Sequence, residues 1–200
     1  MSSMQYTSFP RKMETFNLSD IFGSKVDYLE LSDYTKNVLS TPQHLLKSDE
    51  DAVNACALGL YDIGKDVTFY GCFKNPFVYD LCIHLPDNYY GKEQGEIAQR
   101  YEDIIDAGGG FDHEAMDQEM EEYWDKKHSL HNKVLHRFLE KHLRIGEFIE
   151  IYTTWAEPVN MGFQPPTKEQ AIDLKDLINM PRQKSVGQKE RHKLTIHKTC

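Results

Sequence analysis

One segment of thirty residues, EAMDQEMEEYWDKKHSLHNKVLHRFLEKHL at residues 114–143, constrains the fold more than any other part of the chain. Its apolar side chains recur at the near-heptad spacing of an amphipathic helix, namely Met116, Met120, Tyr123, Leu130, Val134 and Phe138. Asp112 stands at an N-cap position, and Gly146 lies where a helix is expected to end. The segment therefore predicts one long helix with acids on the polar face of its first half and four histidines in its second.

Segments with the sequence pattern of β-strands lie before and after this helix in the chain. Alternation and β-branched or aromatic composition predict strands near residues 67–73, 77–85 and 148–155, with residues 193–197 as a last strand or a tail. Further helices are predicted from Ser48 to Gly64, around residues 92–107, and after Thr167. The combination favours an α+β fold with a small mixed or antiparallel sheet packed against several helices.

The length of 200 residues and a hydrophobic content of 40% suit one globular domain. We expect this domain to span residues 14–180. Residues 1–13 are polar and aperiodic, which predicts a flexible lead. Residues 181–200 are predicted to form a basic linker and tail, or the last strand.

The cellular location is predicted from two features of the sequence. No window approaches the roughly 18 consecutive apolar residues of a membrane helix, and the first residues lack the apolar region of a signal peptide. The four cysteines have neither CxxC spacing nor the pattern of a disulfide framework, and they are Cys56, Cys72, Cys82 and Cys200. Both features predict a cytoplasmic protein with reduced thiols.

The charge distribution is uneven. Between residues 87 and 125 there are thirteen Asp or Glu against Lys92 and Arg100, a local net charge of -11. Residues 165–200 carry eight Lys or Arg against four acids, a local net charge of +4. An acidic middle disfavours binding to nucleic acid or to a membrane surface, because phosphate groups are held by clustered Lys and Arg.

The acidic helices between residues 93 and 125 predict a function without catalysis and without a cofactor. Such a surface would bind a basic protein partner with salt-sensitive affinity, as an immunity or inhibitor-like protein does. The predicted electrostatic contacts are Glu102, Asp103, Glu114, Asp117, Glu121 and Glu122. Tyr123 or Trp124 is the predicted aromatic anchor if its side chain is exposed.

The alternative is a metal-dependent hydrolase. Glu121, Asp125 and His128 share one helix face, with His131 three residues further on, and such a set could contribute to a Zn, Mn or Fe site. The segment lacks an HExxH motif and the paired ExxH motifs of di-iron bundles, so the acidic surface is favoured. A third possibility is a structural or accessory subunit of an obligate oligomer, which binds the other subunits through its aromatic strands.

Two other patterns receive structural interpretations. The glycines at 108–110 precede a helix, as a phosphate loop does, but Asp106, Asp112 and Glu114 surround them and would repel phosphate. Cys72 or Cys82 beside His84 has no third orienting group, so buried thiols are favoured over a nucleophile and its base.

Overall fold

The fold is that of a computed structural model, which describes residues 4–13, 16–17, 27–30, 50, 53, 57–62, 71–84, 91–110, 112–154, 163–182 and 190–200. In chain order the elements are β1 (Met4–Phe9), β2 (Phe16–Asn17), β3 (Asp27–Glu30), β4 (Ala57–Asp62), β5 (Phe77–His84), α1 (Gly91–Asp106), α2 (His113–His142), β6 (Phe148–Thr154), β7 (Lys168–Asp173), a 3-10 helix (Leu174–Asn179) and β8 (His192–His197). The predicted α+β class is confirmed.

The strands form one mixed sheet in the order β2-β3-β4-β5-β1-β6-β8-β7. All neighbours are antiparallel except β7 and β8, which run parallel. The strands predicted near residues 77–85, 148–155 and 193–197 are confirmed as β5, β6 and β8.

The prediction of a flexible lead is wrong over Met4–Phe9. This segment is β1, in which Tyr6 pairs with Asp80 of β5 on one side and with Tyr152 of β6 on the other. Thr7 and Ser8 are buried despite their hydroxyl groups. Pairing on both edges satisfies the backbone of this strand, and the local composition carries no sign of that pairing.

The prediction of a helix from Ser48 to Gly64 is wrong over Ala57–Asp62, because this segment forms β4. Leu58 and Leu60 are both buried, a period of two, and β4 pairs along its length with β5. The helical spacing of apolar residues in this stretch is thus overridden by cross-strand pairing. Residues 50 and 53 are helical, and the rest of 48–56 lies outside the described residues.

Two further predicted segments differ from the structure. In the strand predicted near 67–73, residues 67–70 lie outside the described ranges, whereas Gly71 has a φ of 72° and begins a turn. The helix predicted after Thr167 is replaced by β7 and then by the 3-10 helix. The Thr167 hydroxyl donates to the Arg191 carbonyl and accepts from the Arg191 amide, which ties the start of β7 to β8.

The long helix α2 is confirmed, together with its N-cap. The Asp112 carboxylate accepts a hydrogen bond from the Ala115 amide at 3.0 Å. At the other end Arg11 donates to the His142 carbonyl and Lys198 donates to the Glu140 carbonyl. Two cations from distant segments therefore stabilise the negative end of the helix dipole and fix the direction of α2.

The main core lies between α2 and one face of the sheet. Its buried members include Phe9, Leu60, Tyr79, Leu81, Leu130, Val134, Phe138, Leu139, Ile149, Ile151 and Ile196. The opposite face of the sheet carries a smaller cluster, in which Tyr6, Tyr152 and Phe163 pack edge to face with Cys72 beside them. Among the described residues, therefore, both faces of the central strands are covered.

Candidate functional site

The acidic surface consists of exposed carboxylates on α1, on the turn that follows it and on the first half of α2. Its members are Glu96, Glu102, Asp103, Asp106, Asp112, Glu114, Asp117, Glu121, Glu122 and Asp125. Arg100 is the one Lys or Arg between residues 95 and 125. The two helices therefore present a strongly negative surface to solvent.

The turn between the helices is a Schellman motif. The Gly109 amide donates to the Ile104 carbonyl and the Gly108 amide donates to the Ile105 carbonyl, both at 2.9 Å. Gly108 has a φ of 77°, and a Cβ added at Gly109 would lie 2.9 Å from Cγ2 of Ile104. These glycines terminate α1, which supports the structural interpretation of the glycine run over a phosphate loop.

Contacts between α1 and α2 are few. Arg100 donates through both terminal nitrogens to Glu119, with Nη2 2.8 Å from Oε2. Tyr101 is buried, and Ile97 is half-buried against the main core. Among the α1 side chains from residue 95 onward, only these two apolar groups turn inward, so α1 exposes most of its circumference.

The helical spacing of Ile97, Tyr101, Ile104 and Ile105 predicts that all four face the core, and for the two isoleucines at 104 and 105 this prediction is wrong. Their side chains are 42% and 50% exposed. The first fully buried residue of α2 is Tyr123, and Met116 and Met120 in its opening turns are half-buried. Apolar periodicity indicates which face of a helix is apolar, and it does not say whether another element covers that face.

The two predicted aromatic anchors are largely inside the fold. Tyr123 is buried, and Trp124 is half-buried against the main core with its ring 5.2 Å from that of Tyr123. Nζ of Lys127 lies 4.8 Å from the centre of the Trp124 ring, and burial lowers the pKa of Lys127. Tyr123 is thus not available as a surface anchor.

Glu121 and Asp125 are paired with a residue of the basic tail. Nε of Arg182 lies 2.8 Å from Oδ1 of Asp125, and Nη2 of the same guanidinium contacts Oε2 of Glu121. The Arg182 side chain is only 20% exposed. Two carboxylates four residues apart on α2 therefore hold one guanidinium between them, which is the geometry that a forked donor prefers.

The other predicted contacts remain on the outer surface. Glu102, Glu114 and Asp117 are exposed. Asp103 accepts a hydrogen bond from Gln99, and Glu122 accepts one from Gln118, each from the residue one helical turn earlier. Neutral amides of this kind orient a carboxylate without cancelling its charge.

The predicted metal ligands are engaged in other contacts. His128 hydrogen-bonds with the Asn132 side chain at 3.1 Å, and Asn132 also donates to the Met180 carbonyl. Nε2 of His131 is buried, and no hydrogen-bond partner for it lies among the described residues. Burial, followed by the positive charge of Lys127, lowers the pKa of His131 from 6.5 to about 4.

In the part of the chain that the structure describes, no group of three His, Cys, Asp or Glu side chains is placed to hold a metal ion. The set of Glu121, Asp125, His128 and His131 is therefore not assembled as a metal centre. Arg182 provides the positive charge beside the two carboxylates, while Asn132, which contacts His128, joins α2 to Met180 at the end of the 3-10 helix.

A buried polar cluster on the opposite face of the sheet was not predicted. Oε2 of Glu150 accepts hydrogen bonds from the Ser8 hydroxyl at 2.9 Å and from the Lys74 and Asn75 amides at 2.7 and 3.2 Å. Nζ of Lys193 lies 3.7 Å from Oε1 of Glu150. Glu150 lies in the segment whose alternation predicts β6, and no local signal in the sequence distinguishes its buried carboxylate from an exposed one.

Cys72 fits the buried-thiol interpretation. Its thiol donates to the Gln164 carbonyl at 3.1 Å, and burial raises the pKa of this thiol. A protonated buried thiol is a poor nucleophile. The side chains of Cys82 and His84 lie outside the described set.

Comparisons of this chain with protein-family models, with curated proteins and with solved structures find no match. Within the described ranges, none of the helices combines the length and the apolar character needed to cross a membrane.

Proposed function

We propose that this protein acts without catalysis, by binding a basic protein partner through the acidic surface, in the manner of an immunity or inhibitor protein in the cytoplasm. The observation that carries the proposal is the exposure of ten carboxylates on two neighbouring helices and the turn between them, with Arg100 as the one Lys or Arg between residues 95 and 125. A surface of one sign steers a partner of the opposite sign and speeds its association.

The contact with Arg182 supports this proposal from within the molecule. Glu121 and Asp125 already hold a guanidinium that comes from a distant part of the chain. Glu102 and Asp106 have the same spacing of four residues on α1 and are exposed. A partner that presents arginines would find an equivalent pair of carboxylates there.

The proposal predicts that neutralising part of the surface weakens partner binding without unfolding the protein. The test variant carries Glu102→Gln, Glu114→Gln and Asp117→Asn. Three lost charges are expected to reduce affinity for the partner about tenfold at about 50 mM salt, mainly through slower association. The melting temperature is expected to change by no more than about 2 °C, since all three side chains are exposed.

A matched control makes the same change in charge elsewhere. Glu50, Glu140 and Asp176 are exposed acids outside the acidic surface, and they are replaced by Gln, Gln and Asn. Wild type and both variants are used to capture proteins from lysate, and captured proteins are quantified by mass spectrometry. Basic proteins that are lost with the test variant and retained with the control support the proposal. The same set of captured proteins with all three baits contradicts it.

A further inference from the structure

The last turn of α1 exposes an apolar patch within the acidic surface. Ile104 and Ile105 lie on the same helix face as Ile97 and Tyr101, at spacings of four, seven and eight residues from Ile97. Ile97 and Tyr101 turn inward, whereas the two isoleucines at the end of this face remain exposed. The apolar face of α1 thus extends beyond the part of it that the other described elements cover.

The surroundings of this patch define the chemistry of its occupant. Glu102 is exposed three residues before Ile105 on the adjoining side of α1, the exposed Asp106 follows Glu102 by one helical turn, and Asp112 and Glu114 follow across the turn. An occupant must therefore bury two isoleucines and bring positive charges to the carboxylates beside them. Apolar anchors surrounded by polar groups are the usual anatomy of a protein interface.

We propose that the partner contributes an amphipathic basic helix, whose apolar stripe packs on Ile104 and Ile105. Its flanking arginines pair with the carboxylates of Glu102 and Asp106, as Arg182 pairs with Glu121 and Asp125. A helix suits this site because the patch is one turn of a helix, which packs ridges into grooves against another helix. This inference rests on the proposed function and adds an apolar anchor, which replaces the aromatic anchor expected at Tyr123 or Trp124.

The test uses two synthetic peptides of equal length and equal positive charge. One carries arginines on both flanks of a leucine stripe at helical spacing, and in the other glutamines replace the leucines. Fluorescence anisotropy measures binding at about 50 mM and about 300 mM salt, because salt screens the contribution of exposed charges. The leucine peptide is expected to bind at least about tenfold more tightly at the higher salt, since burial of apolar surface persists there.

Variants of the protein locate the anchor. The change Ile104→Ser with Ile105→Ser is expected to lower affinity for the leucine peptide to that of the glutamine peptide. Ile145→Ser is the matched control, because Ile145 is 71% exposed but lies in the turn between α2 and β6. Circular dichroism melting curves check that each variant is folded, and all three side chains are exposed enough for this to be expected.

The possible failures are distinguishable. Equal affinity for the two peptides, or unchanged binding by the Ile104 and Ile105 variant, would overturn the amphipathic helix and leave the proposed function standing. Absence of binding to either peptide at the lower salt would overturn both proposals.

Discussion

Replacing Glu150 with alanine is expected to lower the free energy of unfolding by about 3 to 5 kcal/mol. The substitution removes an acceptor that serves the Ser8 hydroxyl and the Lys74 and Asn75 amides. It also leaves the buried ammonium of Lys193 without the carboxylate 3.7 Å away. Uncompensated buried donors cost more than a net hydrogen bond contributes, and typical domains have only about 5 to 15 kcal/mol in total.

Glu169→Ala is the matched control for this prediction. Glu169 contacts the same Lys193 nitrogen at 3.0 Å, but its side chain is 60% exposed. Its loss is expected to cost less than about 1 kcal/mol, because water can take the place of the exposed Glu169 carboxylate and Lys193 keeps the buried carboxylate of Glu150. Urea denaturation followed by circular dichroism compares the variants at neutral pH. Similar losses for Glu150→Ala and Glu169→Ala would show that the buried cluster is not a special source of stability.

A loss of about 2 kcal/mol of stability on acidification from pH 8 to pH 5 is expected from His131 alone. Burial places the pKa of His131 at about 4 in the folded protein, below the 6.5 of the unfolded chain. Well above pH 6.5 the imidazole is neutral in both states, so its protonation does not change the free energy of unfolding. As the pH falls from 6.5 towards 4, the unfolded chain binds the proton more readily, so the folded state is progressively disfavoured.

The contribution of His131 is isolated by comparison with His131→Leu. The free energies of unfolding of the two proteins are measured at pH 8, 6 and 5. The variant is expected to gain about 2 kcal/mol relative to wild type between pH 8 and pH 5, since it lacks the titrating group. A constant difference between the two proteins across this range would mean that the buried Nε2 does not resist protonation.

The sequence predicts the elements whose local pattern agrees with their environment. The start of α2 is predicted to the residue, because its apolar spacing and the Asp112 cap favour the same structure, whereas its end, expected near Gly146, comes at His142. The strands β5 and β6 are likewise confirmed, although β6 does not alternate between buried and exposed residues, because both of its faces are covered. β1 and β4 are missed, because their strand character comes from pairing with distant segments rather than from Thr7, Ser8 or Gly59 themselves.

The sequence likewise predicts some features of the candidate site and misses others. The acidic surface is a property of residue types and helix length, both of which the sequence provides, and its acids are exposed as expected. The sequence does not show which segment covers which face of a helix. It therefore does not predict that Ile104 and Ile105 are exposed, that Tyr123 is buried or that Arg182 pairs with α2. Glu150 is the clearest case, because its buried state follows from Ser8, Lys74 and Lys193, all more than forty residues away in the chain.

The central claim is that a basic protein binds the acidic surface. Zero-length cross-linking of carboxylates to lysines tests it most directly, because it identifies the residues at which a basic protein is bound. A water-soluble carbodiimide joins Asp or Glu side chains to lysines of a bound protein, and peptide mass spectrometry identifies the joined residues. The account predicts couplings to captured proteins at Glu102, Asp103, Glu114, Asp117 and Glu122, lost at high salt. Couplings at Glu50, Glu140 and Asp176 in place of these residues would contradict it.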